Sequence, residues 1–166
     1  MKILNVVIAG TDPDCKKAFP EDAQIDVVNI KAVKDLVPDG SYDAVYCNNC
    51  LQVLERQDSI PMVKKMAECL REDGEMWIIV PSAEWIAGNI LANSSSAVVQ
   101  MMLWGSDIQF RSCYTLYWLR GIMETADIII RMATQQGLKV YENDKEVVVP
   151  LNIITGIKHK IQRAEE

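Results

Sequence analysis

The N-terminal run Ile3–Ala9 is almost continuously apolar and largely β-branched, broken only by Asn5. A strand with one wet face alternates apolar and polar side chains, so a run apolar at successive positions needs cover on both faces. Met76–Val80 repeats the pattern and Pro81 closes it. Ile25–Ile30 and Asp43–Cys47 are two further strands by the same reading, separated by Pro38-Asp39-Gly40-Ser41, a turn by its residue chemistry. Strands buried on both faces belong to parallel sheets wrapped by helices, which restricts the chain to the α/β class.

The intervening segments read as those helices. A short one spans Leu51–Glu55. A better one starts with Ser59 as N-cap and Pro61 in the first turn, repeats apolar residues at Met62/Val63, Met66 and Cys69/Leu70, and has Gly74 at its C′ position. Trp85–Leu103 reads as helical and is unusually apolar. Thr115 can cap a long helix carrying Leu116, Leu119, Met123, Ala126, Ile130 and Ala133 on one face and ending at Gly137. Leu138–Tyr141 and Val147–Lys158 then pair as a hairpin through the polar turn Glu142–Lys145. The expectation is one α/β domain over residues 1–166: a doubly wound, mostly parallel, Rossmann-like sheet with right-handed crossovers and a C-terminal antiparallel hairpin.

With 166 residues and a net charge of -6, the chain has no overall positive field to hold a phosphate backbone, so bulk nucleic-acid binding is not expected. Its apolar runs are strand-length, which argues against a membrane span. Asn5 and the acidic turn Gly10–Asp14 argue against reading the N-terminus as a signal peptide. Five cysteines, an odd number without framework spacing, point to a reduced, cytoplasmic protein.

Cys47-Asn48-Asn49-Cys50 sits between a strand and a helix, where a redox dithiol would have Cys47 as nucleophile and Cys50 as resolving thiol. The flanks, Tyr46 and Leu51-Gln52, carry neither the Trp nor the Pro common beside such motifs. Zinc needs four ligands; this pair supplies two, and Cys69 falls on a helix while the sole histidine, His159, lies near the C-terminus, so no metal site is expected. The third reading, that both cysteines pack as small apolar residues, is preferred.

The longer segment "DLVPDGSYDAVYCNNCLQVLE", followed by "MVKKMAECLREDGEMWIIVP", resembles the middle of the class I S-adenosylmethionine-dependent methyltransferases of the type 11 kind. Their pattern runs "DLPFPDGSFDAVYSSHVLEHL" and then a helix ending "RVLKPGGRLVIVVP". The resemblance covers Asp35–Pro81 specifically. Beyond it, Gly105, Arg111–Thr115, Gly137–Val140 and Thr155–Lys158 resemble later family signals. It implies a Rossmann-like methyltransferase fold, with Cys47–Leu51 on the loop after the fourth strand, where the cofactor lies. Three departures stand out: Ile8 and Gly10 where the family has a glycine-rich loop, the neutral Asn29 where an acid grips the ribose, and Gln52-Val53 in place of Glu-His. The N-terminal half is also short, leaving room for one strand between Gly10 and Asp43.

The resemblance implies S-adenosylmethionine as cofactor, with Gly10 and Asp12 near its methionine portion, Asn29 at the ribose, and Asn48 and Asn49 beside the sulfur. Each has a structural alternative: Gly10 turns the chain, Asp12 before Pro13 initiates a turn, and one of the two asparagines caps a helix. Trp104, Arg111 and Tyr114 lie where the acceptor pocket is shaped, with core packing as the alternative; Asp43 is read as structural and His159 as an edge residue. Methyl transfer works by alignment of donor and acceptor, so no catalytic side chain is assigned. The leading expectation is methyl transfer to a small-molecule acceptor. The alternative is a methyltransferase-like interaction or structural module that has lost cofactor binding. The apolar segment 83–104 is a candidate homodimer face.

Overall fold

The apolar runs become six strands of a single sheet. The computed structural model describes residues 1–8, 15–92, 99, 111–142 and 144–159. In chain order β1 is Lys2–Val7, β2 Gln24–Asn29, β3 Tyr42–Asn48, β4 Leu70–Pro81, β5 Ile128–Glu142 and β6 Lys145–Lys158, and they lie side by side as β2-β1-β3-β4-β6-β5. The first four run parallel, and β6 is antiparallel to both β4 and β5. Three helices accompany them: α1 (Arg56–Cys69), α2 (Ala83–Leu91) and α3 (Leu116–Glu124). None of the described helices is long and apolar enough to cross a membrane.

Period-two alternation divides the strand residues between two cores. Leu4, Val6, Val45, Cys47, Met76, Ile78 and Val80 face α1 and α3, which contribute Met62, Val63, Met66, Leu119, Ile122 and Met123. Each such side chain contributes about 1.5–3 kcal/mol by leaving water. Ile3, Ala44, Tyr46, Ile79 and Ile153 face the other way. There Phe19 stands edge-on to Tyr46 and Trp77, at 5.6 and 6.1 Å between ring centroids.

Local chemistry holds the corners. Gly40 has φ +62°, which the Pro38–Ser41 turn requires, and Asp39 accepts from the Ser41 amide at 3.1 Å. Asp43 ties three strands together at their starts: its carboxylate accepts from the Lys2 amide and from Arg71 Nε, each at 2.6 Å. That structural role matches the sequence reading.

Several element boundaries differ from expectation. The helix after β3 begins at Arg56, one turn before Ser59; Ser59 is buried and donates to the Arg56 carbonyl at 2.7 Å instead of capping. Leu51–Val53 forms only a 3-10 turn. Gly74 lies beyond the helix end in a bulge of β4, opened between the pairs Tyr42–Leu70 and Ala44–Glu75. The largest difference follows α3. Thr115 caps it, accepting from the Trp118 amide at 3.0 Å, but the helix ends at Glu124 and residues 128–137 are strand. Asp127 at φ +59° breaks the helix, and Ile128-Ile129-Ile130 is β-branched and suits a pleated surface. Gly137 therefore sits in the hairpin opposite Pro150 and ends no helix. The segment read as helical from Trp85 to Leu103 starts as α2; residues 93–98 and 100–110 are outside the described residues.

Candidate functional site

The carboxyl ends of parallel strands gather chemistry because their connections leave the sheet there and open a crevice between them. Val7 near the end of β1 pairs with Asn29 at the end of β2, while the adjacent Val6 pairs with Cys47, so Asn48 follows in the row beside Val7. Asn48 in turn pairs with Ile79. Asn29 and Asn48 thus share one row and one face of the sheet, about 10 Å apart across β1 by two strand spacings. Asn49 continues from this row with φ +51°, a conformation Asn tolerates, and donates its backbone amide to the Ile79 carbonyl at 2.8 Å.

Three of the five expected cofactor residues therefore converge on one edge. Their side chains are partly engaged. Asn29 Oδ1 accepts from the Lys31 amide at 2.8 Å and caps the 3-10 turn Ile30–Asp35. Asn49 Nδ2 donates to Asn48 Oδ1 at 3.0 Å. Neither Asn48 nor Asn49 caps the following turn, whose N-cap is Cys50 without a side-chain bond. Gly10 and Asp12 fall outside the described residues, as do Trp104 and Gly105. Ile8, which in sequence stands where a glycine would admit the cofactor, packs half-buried against the α1 and α3 core. That is the opposite face from the Asn29–Val7–Asn48 row.

Two side chains not named as site residues from the sequence carry buried oxygens without partners among the described residues. Gln52 is 3% exposed, and its buried Oε1 has no hydrogen-bond partner among the described residues; Asn5 is 1% exposed and the same holds for its Oδ1. Asn5 lies on the same face as the asparagine row, two residues before Val7. The sequence signal was present in both cases: a lone amide inside an apolar strand, and a polar residue at a buried turn. A buried carbonyl left unpaired costs about 1–3 kcal/mol, so such groups mark places where a partner is expected.

The backbone carbonyl of Gln52 accepts from the amides of Arg111 and Ser112 at 2.7 and 3.1 Å, fixing the residue before α3 against the turn after β3. Tyr114 is fully buried, and its hydroxyl donates to the Leu51 carbonyl at 3.1 Å, so it packs and braces that turn and does not line an open pocket. Arg111 pairs with Glu55 at 2.6 Å. His159 donates its amide to the Asp127 carbonyl at the sheet edge.

Cys47 and Cys50 are both fully buried thiols. The Cys50 thiol contacts the carbonyls of Val6 and Asn48 at 3.1 and 3.0 Å. A hydrogen bond donated by the Cys47 thiol to Cys50, reinforced by burial, pushes that thiol well above its ordinary range. A dithiol nucleophile needs the opposite shift. Among the described residues no three His, Cys, Asp or Glu side chains gather as a metal site.

No protein-family model and no curated protein sequence matches the chain. Solved structures do. A S-adenosylmethionine-dependent methyltransferase from Methanosarcina mazei superposes with a TM-score of 0.65 at 11% identity, covering 95% of this chain and 92% of that one. One from Archaeoglobus fulgidus gives 0.54 at 12% identity over 95% and 86%. A Burkholderia thailandensis 1,6-didemethyltoxoflavin N1-methyltransferase, solved with bound 1,6-didemethyltoxoflavin and S-adenosylhomocysteine, gives 0.56 at 12% identity over 96% and 71%. At such identities it is the architecture that is shared: the chain has the class I S-adenosylmethionine-dependent methyltransferase fold.

Proposed function

We propose that the protein binds S-adenosylmethionine across the carboxyl edge of β1–β3 and transfers its methyl group to a small-molecule acceptor. The observation that carries the reading is the gathering of Asn29, Asn48 and Asn49 on that edge, with the unpaired oxygen of Gln52 in the adjoining turn. The cofactor offers an ammonium, two ribose hydroxyls and an adenine amine, all donors, and buried amide carbonyls are acceptors that such donors satisfy. The residues present fit the group in that respect. Asn48 and Asn49 would flank its sulfonium end, Asn29 its ribose, and Gln52 Oε1 one of its N–H or O–H donors. When bound, the cofactor supplies an electrophilic methyl. The chain's own residues hold and align it, which is the whole of what such a displacement requires of the protein.

Calorimetric titration with S-adenosylmethionine and S-adenosylhomocysteine tests the reading. Saturable binding of both is expected, and no heat at about millimolar ligand, equivalent to less than about 4 kcal/mol of binding, sinks it. One observation favours the second reading, a methyltransferase-like module that has lost its cofactor: the acceptor of Asn29 is already taken by Lys31 and no carboxylate stands at the end of β2. A null titration on a protein that unfolds cooperatively supports that alternative. A cytoplasmic location, proposed from five free thiols, accompanies either reading.

A further inference from the structure

A cavity of about 640 Å³ opens between the Ile30–Asp35 turn and the N-terminal half of α1. It exists because the crossover from β2 to β3 is short. Parallel strands are usually joined through a full helix, and here a six-residue 3-10 turn makes the connection, leaving the flank of α1 uncovered. Its lining combines apolar residues, Leu54 and Met62 among them, with cations and carboxylates.

Those cations come from three parts of the chain: Lys31 and Lys34 from the turn, Lys65 from α1, and Arg111 from the segment before α3. Residues three apart on a 3-10 helix eclipse each other, so Lys31 and Lys34 project to the same side. Arg111 is matched by Glu55, and Lys65 lies 3.6 Å from Glu68. Lys31 and Lys34 are exposed and form no ion pair with a described residue. Among the described lining residues Glu55 and Asp58 are the carboxylates against four cations, an excess of positive charge in a chain whose net charge is -6. A concave, partly apolar lining that also carries unmatched charge is the arrangement that binds amphipathic small molecules, and the volume falls in the range such ligands occupy.

We infer that this cavity is a binding site for a small anion with an apolar body, such as an aryl or acyl phosphate or carboxylate. Lys31 and Lys34 hold the anionic group, and Leu54 and Met62 take the apolar part. The inference does not depend on cofactor binding, because none of Asn29, Asn48, Asn49 and Gln52 lines the cavity.

Phenyl phosphate is the probe, with inorganic phosphate and benzyl alcohol isolating its two halves. Binding to the full chain is followed by amide shifts in two-dimensional NMR, with the Lys31→Gln/Lys34→Gln double variant alongside. The expected result is saturable phenyl phosphate binding with shifts centred on residues 31–34 and 53–62. Each half-probe binds at least about tenfold more weakly, and so does phenyl phosphate to the double variant. Both lysines are exposed, so the variant keeps the parent's urea midpoint. Absence of saturable phenyl phosphate binding, equal binding of inorganic phosphate, equal binding by the double variant, or shifts centred elsewhere overturns the inference. A failed cofactor titration leaves it untouched.

Discussion

Replacing Gln52 with Met separates a ligand-seeking carbonyl from a structural one. Gln52 is 3% exposed and its Oε1 has no hydrogen-bond partner among the described residues, so the folded protein without ligand carries the desolvation penalty of one amide oxygen, about 1–3 kcal/mol. Methionine has similar length and fills irregular space without a strong acceptor. Gln52→Met therefore stabilises the ligand-free protein by about 1–2 kcal/mol, or about 2–8 °C in melting temperature for a chain of this size. The same change removes an acceptor from the proposed cofactor site and weakens S-adenosylhomocysteine about 5–30-fold. Urea unfolding at constant m-value measures the first effect and calorimetry the second. A variant destabilised without ligand shows that the oxygen is satisfied in solution. One that gains stability yet binds as tightly as the parent shows that the oxygen faces no part of the ligand. Either result refutes the reasoning.

Gly156 lies in β6 between β4 and the bulged part of β5, and a Cβ there would stand 2.6 Å from the Ile129 carbonyl oxygen and collide with Ile128 Cγ2. Backbone cannot yield as a side-chain tip can, so Gly156→Ala is expected to cost about 1–3 kcal/mol in urea unfolding; an unchanged midpoint refutes the close approach. The Asp43 carboxyl is held below the ordinary carboxylate range by the Lys2 amide first and Arg71 second. Its folded pKa is thus lower than its unfolded one, so its contribution is present above the unfolded value near pH 4 and disappears as pH falls through the folded value. The urea midpoint is expected to fall less steeply below about pH 4 in Asp43→Asn than in the parent, and identical acid slopes contradict the assignment.

The parallel half of the sheet was legible because its signal is local. β1, β3 and β4 are buried on both faces, so burial itself wrote the apolar runs. The C-terminal half was harder because two periods coincide there. Ile130 and Ala133 continue the three-to-four spacing of Leu119, Met123 and Ala126, yet they lie on β5, beyond an Asp127 whose positive φ no sequence pattern announces. The pairing of β5 along β6 decides that segment, and this is a non-local interaction. Edge position hid β2 less, although its residues are intermediate or exposed throughout, as those of an edge strand are.

At the site, the sequence named residues and the sheet supplied their relation. Nothing in the spacing of Asn29 and Asn48 shows that they flank Val7 on one face; register does. Register also places Ile8, the residue after Val7, against the helical core and on the face opposite the asparagine row. The short crossover has the widest consequence. By starting a 3-10 turn directly after Asn29, it engages that side chain with the Lys31 amide, and by omitting a full helix it uncovers the flank of α1. A side chain with one acceptor oxygen then has to serve both a turn and a ligand, where a carboxylate would have one oxygen for each. The same economy of chain that engages Asn29, the proposed ribose position, opens the cavity lined by Lys31 and Lys34, so the two features are one structural event.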